Sequence, residues 1–379
     1  MHHNDIKNNK KVLVFVNEFF GAWDIPAKGG YGFLARYLLP YALNLSKDSF
    51  VVCVGKSKNY IREECFVSED GIKLIKLPKI PYFATKIINK YDIVISIEAT
   101  IDYLFKLSKN LNKKILFWIQ DPRPLSDWQE ISTVNIAKED SWYNEKTNML
   151  IKKANDLGKI KFVTQANYLS KKAIELYKLP NDLNIDFLPN PIFKCDVPIK
   201  KRDDIIFLGR IDSVKRGWIF CEIAKRMPRY NFYVLGASTN LIEKNKNSII
   251  QKYANVKNLH FVGHVDGNEK KEYLRSAKIL VNTSIHEALP ISFLEAFSYG
   301  IIVISNQNPD NLVSTYGKYV GECLGDGMDK VDQFIESINY IMEHEDERAQ
   351  LAFRAKEYVN NVHGFNNFRK IFENVASDL

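Results

Sequence analysis

The chain has 379 residues, 46% hydrophobic and 26% charged, the composition of a globular protein with more material than one ordinary core uses, so two domains are expected. Its formal charge of +8 admits anionic substrates, an anionic membrane face or nucleic acid, and selects none of them. No run approaches the roughly 18 apolar residues that span a bilayer, the polar start MHHNDIKNNKK lacks the apolar core of a secretory signal, and Cys53, Cys65, Cys195, Cys221 and Cys323 are dispersed without a C-x-x-C pair, so the expected setting is a reducing cytoplasm.

KVLVFVNEFF at 11–20 predicts a buried strand, and GAWDIPAKGGYG follows as a loop. FLARYLLPYALNLS predicts a helix, FVVCVG a strand at 50–55, KLIKLP a short strand, PYFATKIINKY a helix and DIVISIE a strand at 92–98. IDYLFKLSKNL reads as a helix, KILFWIQD as a strand at 114–121, and the stretch containing PRPLSDW as a long polar loop. KFVTQ, YLSKKAIELYKL and NIDFLP close this series as strand, helix and strand. Strands apolar throughout, alternating with helices, predict a parallel sheet covered on both faces.

NPIFKCDVPIKKRDD breaks the rhythm and places a boundary near 190–202. A second series follows: DIIFLGR strand, GWIFCEIAKRM helix, YNFYVLG and LHFVGHV strands, KKEYLRSA helix, KILVNTS strand, ISFLEAFSY helix and IIVISN strand. The tail from Gln333 onward is almost wholly helical, and no fixed repeat is present. The expected architecture is α/β, two Rossmann-like doubly wound domains facing a cleft, since ligands of open parallel sheets sit beyond the C-terminal strand ends.

Three stretches can carry chemistry. In HEALPISFLEAFSYG, Glu287 lies in a strand-to-helix loop, Pro290 suits a first helical turn and Gly300 a stop. The helix start between them is an anion site. Glu295 sits among Phe293, Leu294, Ala296 and Phe297, a setting where a carboxylate is usually paired or ligand-bound. Read alone, the two glutamates leave a ligand site and a solvated surface both open. In FLGRIDSVKRG a strand ends at Gly209, and Arg210 and Lys215 stand five apart in the next loop; two such cations can hold a diphosphate or simply be solvated. In KGGYGFLA, Gly29, Gly30 and Gly32 admit close backbone approach to a ligand. A dinucleotide fingerprint is disfavoured, because the preceding loop is long and the second strand ends in Gly55-Lys56 rather than an acid. H-E-x-x-H, Asp-x-Asp, G-x-S-x-G and clustered Cys/His are missing, so no dedicated metal site is expected.

Taken together, KGGYGFLARYL, FLPNPIF, FLGRIDSVK, VLG at 234–236, FVGHV, SIHEALPISFLEAFSYGIIVIS and the terminal HGFNNFRKIFENV resemble family 4 (group 1) retaining glycosyltransferases of the GT-B fold. The resemblance implies an acceptor-binding N-terminal domain at 1–192, joined by a C-terminal helix at 362–379, and a nucleotide-sugar-binding domain at 193–361. It implies that Glu295 binds ribose hydroxyls and that Glu287, with the backbone of Ala288, Leu289, Pro290 and Ile291, holds the transferred sugar. Arg210 and Lys215 neutralise the departing diphosphate, Gly30 approaches the same phosphates, Val262, Gly263 and His264 lie near the base, and Gly209 and Gly236 line the donor site. The family transfers without a divalent metal or other cofactor, the nucleotide sugar being a substrate.

The chain departs from the family in having Ala288 after the first glutamate and no histidine at the N-terminal strand ends. Gln120, Asp121 and Arg123 are the acceptor-side candidates, while Glu98 reads as a loop carboxylate. The expected function is sugar transfer to a glycan, lipid-linked or other glycoconjugate acceptor, in surface polysaccharide synthesis. KLPKIPYFATKIINK reads first as an ordinary amphipathic helix packed on the sheet, and alternatively as a peripheral contact at the inner membrane face. The alternatives are a non-catalytic nucleotide-sugar-binding partner subunit and a nucleic-acid glucosyltransferase; nucleic acid is the less favoured acceptor because no basic run is interleaved with aromatics.

Overall fold

A computed structural model describes residues 10–19, 29–133, 141–196, 200–209, 214–236 and 252–379. Packing divides them into two units, and neither is continuous in sequence. The first comprises the described residues up to Pro124, then Tyr143–Pro191 and Val362–Leu379; the second comprises those of Leu125–Trp142 and Ile192–Asn361.

The first unit is built on β1 (Val12–Phe15), β2 (Phe50–Lys56), β3 (Glu64–Val67), β4 (Lys73–Leu77), β5 (Ile93–Ile97), β6 (Ile115–Ile119), β7 (Ile160–Thr164) and β8 (Asp186–Phe187), in the order β3-β4-β2-β1-β5-β6-β7-β8. All pairings are parallel except β3 with β4. β1 is central, with Val14 opposite Val52 on one side and Ile95 on the other. Its four side chains are buried, as a strand covered on both faces requires. The helix after β1 runs as Gly30–Phe33, a π-helical segment Leu34–Leu38, and Leu39–Leu43. Pro40 lies just past the π segment; it has no N–H to donate, which fits the loosened register there.

The polar stretch after β6, read from sequence as a loop, contains helices Leu125–Ser132 and Glu145–Asp156. Asn144 caps the latter by accepting from the Thr147 N–H at 3.2 Å. The helix Leu125–Ser132 belongs to the second unit, and its Trp128 ring packs 5.8 Å from Trp142. At the chain's end, helix Phe365–Ala376 belongs to the first unit: Phe368 packs against Trp118, and Arg369 Nε donates to the Ala42 carbonyl at 3.1 Å.

The second unit holds β9 (Asp204–Leu208), β10 (Asn231–Leu235), β11 (Leu259–Gly263), β12 (Ala277–Asn282), β13 (Ile302–Ser305) and β14 (Lys318–Tyr319), all parallel, in the order β11-β10-β9-β12-β13-β14. Strand order reverses beside β9, so the loops leaving β9 and β12 border the position where open α/β sheets bind ligands.

Candidate functional site

Lys215 and Glu287 follow those two strands and meet. Lys215 Nζ donates to Glu287 Oε1 at 2.5 Å. The same oxygen accepts from Ser284 Oγ at 2.6 Å and Asn282 Nδ2 at 2.9 Å. Burial alone raises the pKa of this carboxyl; Lys215 and the two polar donors more than offset that and hold it below the ordinary glutamate value. Glu287 is therefore a fixed anion at neutral pH. The Lys215 stem crosses Gly209, whose position would bring a Cβ to 3.9 Å from it.

The loop carrying Glu287 is held from several sides. Ile285 N donates to Val214 O at 2.7 Å, Asn306 Nδ2 to Ser284 O at 2.9 Å and Gln307 Nε2 to Ile285 O at 2.7 Å. Arg216, which the sequence presents as one more basic loop residue, is fully buried with φ 46°. Its guanidinium donates to the carbonyls of Thr283 (2.7 Å), Ser284 (3.2 Å), Cys323 (2.8 Å) and Gly325 (3.1 Å). Burial lowers its pKa from the usual arginine value. Nothing in the sequence marks this role: Arg216 takes the left-handed N-cap position of helix Gly217–Arg226, which sequence does not reveal. His286 is buried, with Nδ1 3.5 Å from Asp127 Oδ2 on helix Leu125–Ser132.

Pro290 stands at the N-cap of helix Ile291–Ser298, with φ −65° and ψ 135°. The first backbone N–H groups of such a helix have no intrahelical acceptor. Ala288 and Leu289 before it are buried. One turn in, Glu295 is gripped by Lys270 of helix Gly267–Ser276, which sequence reasoning passed over. At the neighbouring strand ends, Gly236 N donates to Gly263 O at 2.7 Å, Gly263 adopts φ 89°, Val262 is half-buried and His264 is exposed. Arg210 lies outside the described residues.

In the first unit, Gly30 begins its helix and is exposed. The Glu18 carboxylate lies at that helix start: Gly32 N is 3.4 Å from Glu18 Oε2, and a Cβ on Gly29 would fall 1.9 Å from the same oxygen. A side chain at Gly29 is thereby excluded unless Glu18 moves. Past β6, Gln120 is buried in an amide pair with Asn190, at 3.0 Å in both directions. Asp121 pairs with Arg123 at 2.6 Å. Glu98 is no ordinary loop carboxylate. It is buried, adopts φ 51°, takes the backbone N–H groups of Gln120 and Asp121 on Oε2 at 2.8 Å each, and accepts from the Tyr177 hydroxyl. Burial raises its pKa, and Asp121 adds to the rise.

Among the described residues, no three His, Cys, Asp or Glu side chains are grouped as metal ligands, and no helix is long and apolar enough to cross a membrane. Residues 192–358 match the family model described as glycosyl transferases group 1. The structure is similar to sucrose-phosphate synthase from Thermosynechococcus elongatus, with TM-score 0.71 and 14% identity over 97% of this chain and 98% of the other. It is also similar to HepE of Anabaena in complex with UDP and glucose, with TM-score 0.71 and 11% identity over 98% and 100%. WaaG, a glycosyltransferase involved in lipopolysaccharide biosynthesis, matches with TM-score 0.64 and 13% identity over 96% and 99%. No curated protein sequence matches the chain.

Proposed function

We propose that this protein, whose residues 192–358 match the model described as glycosyl transferases group 1 and whose fold is GT-B, moves a sugar from a nucleotide-sugar donor to a hydroxyl acceptor with retention of configuration and without a divalent metal. The observation that carries this reading is the Lys215–Glu287 contact beside the N-terminus of helix Ile291–Ser298. It sets a cation, a fixed anion and unpaired backbone N–H groups side by side, which is the equipment for a diphosphate and a sugar ring.

In this reading Lys215 and Arg210 take up the charge of the leaving diphosphate, and Glu287 accepts hydrogen bonds from the sugar hydroxyls while the backbone of residues 288–291, with N–H donors at Ala288, Leu289 and Ile291, lines the sugar. Glu295 receives the ribose hydroxyls, and Gly209, Gly236, Val262, Gly263 and His264 border the base. The bond from the anomeric carbon to the diphosphate oxygen breaks, the bond to the acceptor oxygen forms, and the acceptor proton passes to the departing phosphate. Gln120, Asp121 and Arg123 are the acceptor-side residues of the first unit. The acceptor is a glycan or lipid-linked or other glycoconjugate of a surface polysaccharide; HepE, solved with UDP and glucose, and WaaG, described as involved in lipopolysaccharide biosynthesis, are proteins of like fold that make this reading reasonable.

The test is thermal unfolding against UDP-, GDP-, ADP- and CMP-sugars in EDTA, for wild type and Glu295→Ala. A donor at about 100 times its dissociation constant adds about 2.7 kcal/mol. A shift with one nucleotide class that Glu295→Ala abolishes is the expected result. No shift with any class overturns the transferase reading.

A further inference from the structure

The first unit carries a surface that the transfer reaction does not use. Asn59 organises it. Its Oδ1 accepts from the backbone N–H groups of Ile61 at 2.9 Å and Arg62 at 3.0 Å, folding a tight turn with Tyr60 and Ile61 at its tip. The turn is tied to the start of helix Pro81–Ile88: Lys79 N donates to Asn59 O and Ile80 N to Tyr60 O, both at 3.0 Å. Four large side chains are thereby brought together and left in solvent, with Tyr60 and Tyr82 each 63% exposed, Ile61 49% and Ile80 37%. Lys58, Arg62, Lys79 and Lys86 are exposed around them. The Lys79 ammonium lies 4.8 Å from the Tyr60 ring centre and that of Lys86 5.4 Å from the Tyr82 ring centre. Residues 56–90 hold eight Lys and Arg against four Asp and Glu, so this short segment supplies half of the chain's net charge of +8.

We propose that this surface docks the protein on an anionic lipid bilayer. Clustered exposed apolar side chains mark an interaction site rather than ordinary surface. Tyrosines seat at the headgroup level, isoleucines enter the acyl boundary, and lysines lay their stems along the rings while their charges reach lipid phosphates. A nucleic acid would use the rings and cations but would gain nothing from Ile61 and Ile80. The turn is already formed by the Asn59 bonds, so docking orders little further chain. The inference deepens the proposed function by setting the acceptor at a membrane, and rests on that reading only for what the docked protein does.

The experiment is co-sedimentation of the full-length protein with phosphatidylcholine vesicles, with and without phosphatidylglycerol, at low and physiological salt. Expected are binding that needs phosphatidylglycerol and weakens with salt, and a loss of about a hundredfold or more in Lys58→Glu/Lys79→Glu/Lys86→Glu, since each cation contributes about fivefold. Ile61→Ser/Tyr82→Ser loses about tenfold. The equally charged variant Lys109→Glu/Lys153→Glu/Lys171→Glu, on exposed lysines elsewhere in the unit, keeps most of the binding. Equal losses in the two triple variants, or no binding by wild type, overturn the proposal. Capture by single-stranded DNA that survives Ile61→Ser/Tyr82→Ser while vesicle binding is weak overturns it in favour of nucleic acid. Donor-induced thermal shifts on the same variants separate the two readings: vesicle binding without any donor shift refutes the transferase reading and leaves this one standing.

Discussion

Lys270 grips Glu295 by both carboxylate oxygens, at 2.8 and 2.7 Å, with only about an eighth of either side chain in solvent. An ionised carboxylate offers about four lone-pair sites. The ammonium occupies one on each oxygen and leaves the others aimed along a fixed direction. Lys270 thus sets the rotamer of the residue assigned to the ribose.

Lys270→Ala is expected to weaken donor binding about tenfold and to cost about 1–2 kcal/mol of stability, because a half-buried charge loses its partner. Calorimetric titration of the donor reads the first effect and urea unfolding the second. Unchanged affinity with lowered stability would confine Lys270 to a structural role.

Glu287 has a depressed pKa, so its contribution to stability is present above the ordinary glutamate value of about 4.3 and is lost as pH falls through the lower folded value. Glu287→Gln removes this dependence and lowers kcat about a hundredfold or more. Denaturant unfolding of both proteins across the acid range checks the sign: the advantage of wild type over the variant should shrink with acid.

Glu98 shows the opposite sign. Burial raises its pKa in the fold, so ionisation costs stability once the pH passes the ordinary glutamate range. Glu98→Gln presents one oxygen to the N–H groups of Gln120 and Asp121 and its amide to Tyr177, in the shape of the protonated acid. The variant is expected to match or exceed wild type at neutral pH and to lose that margin in acid. Glu98→Ala orphans both N–H groups and is expected to lose about 3 kcal/mol.

Arg216→Met removes the guanidinium donor from the carbonyls of Thr283, Cys323 and Gly325, and from Ser284, which keeps Asn306 Nδ2, and is expected to cost about 4 kcal/mol. Arg216→Lys offers three donors from a point rather than a fork and restores only part of this. Because the guanidinium touches loop backbone rather than ligand, kcat should fall more than donor KM rises. A change confined to KM would argue against a positioning role.

The apolar runs of β1, β5, β6, β9 and β12 are legible because a strand buried on both faces has no polar alternative. Glu287 and Lys215 are legible as types at strand ends, but their contact is not: 72 positions separate them, and only the adjacency of β9 and β12 joins them. Lys270 and Arg216 look like solvated charges, since sequence does not show which basic residue lies inward. The helix Leu125–Ser132 escapes notice because proline, aspartate and tryptophan imitate a loop, and its place in the second unit depends on tertiary packing.

The division into two discontinuous units bears on how the chain matures during synthesis. The first unit needs helix Phe365–Ala376, whose Phe368 covers Trp118, and the second needs Leu125–Trp142, made before most of that unit exists. Domains generally fold in turn as they leave the ribosome. Here the early half waits, with Trp118 not yet covered by Phe368, until residues 365–376 have been made, so a ribosome halted before 365 releases an unfinished first unit.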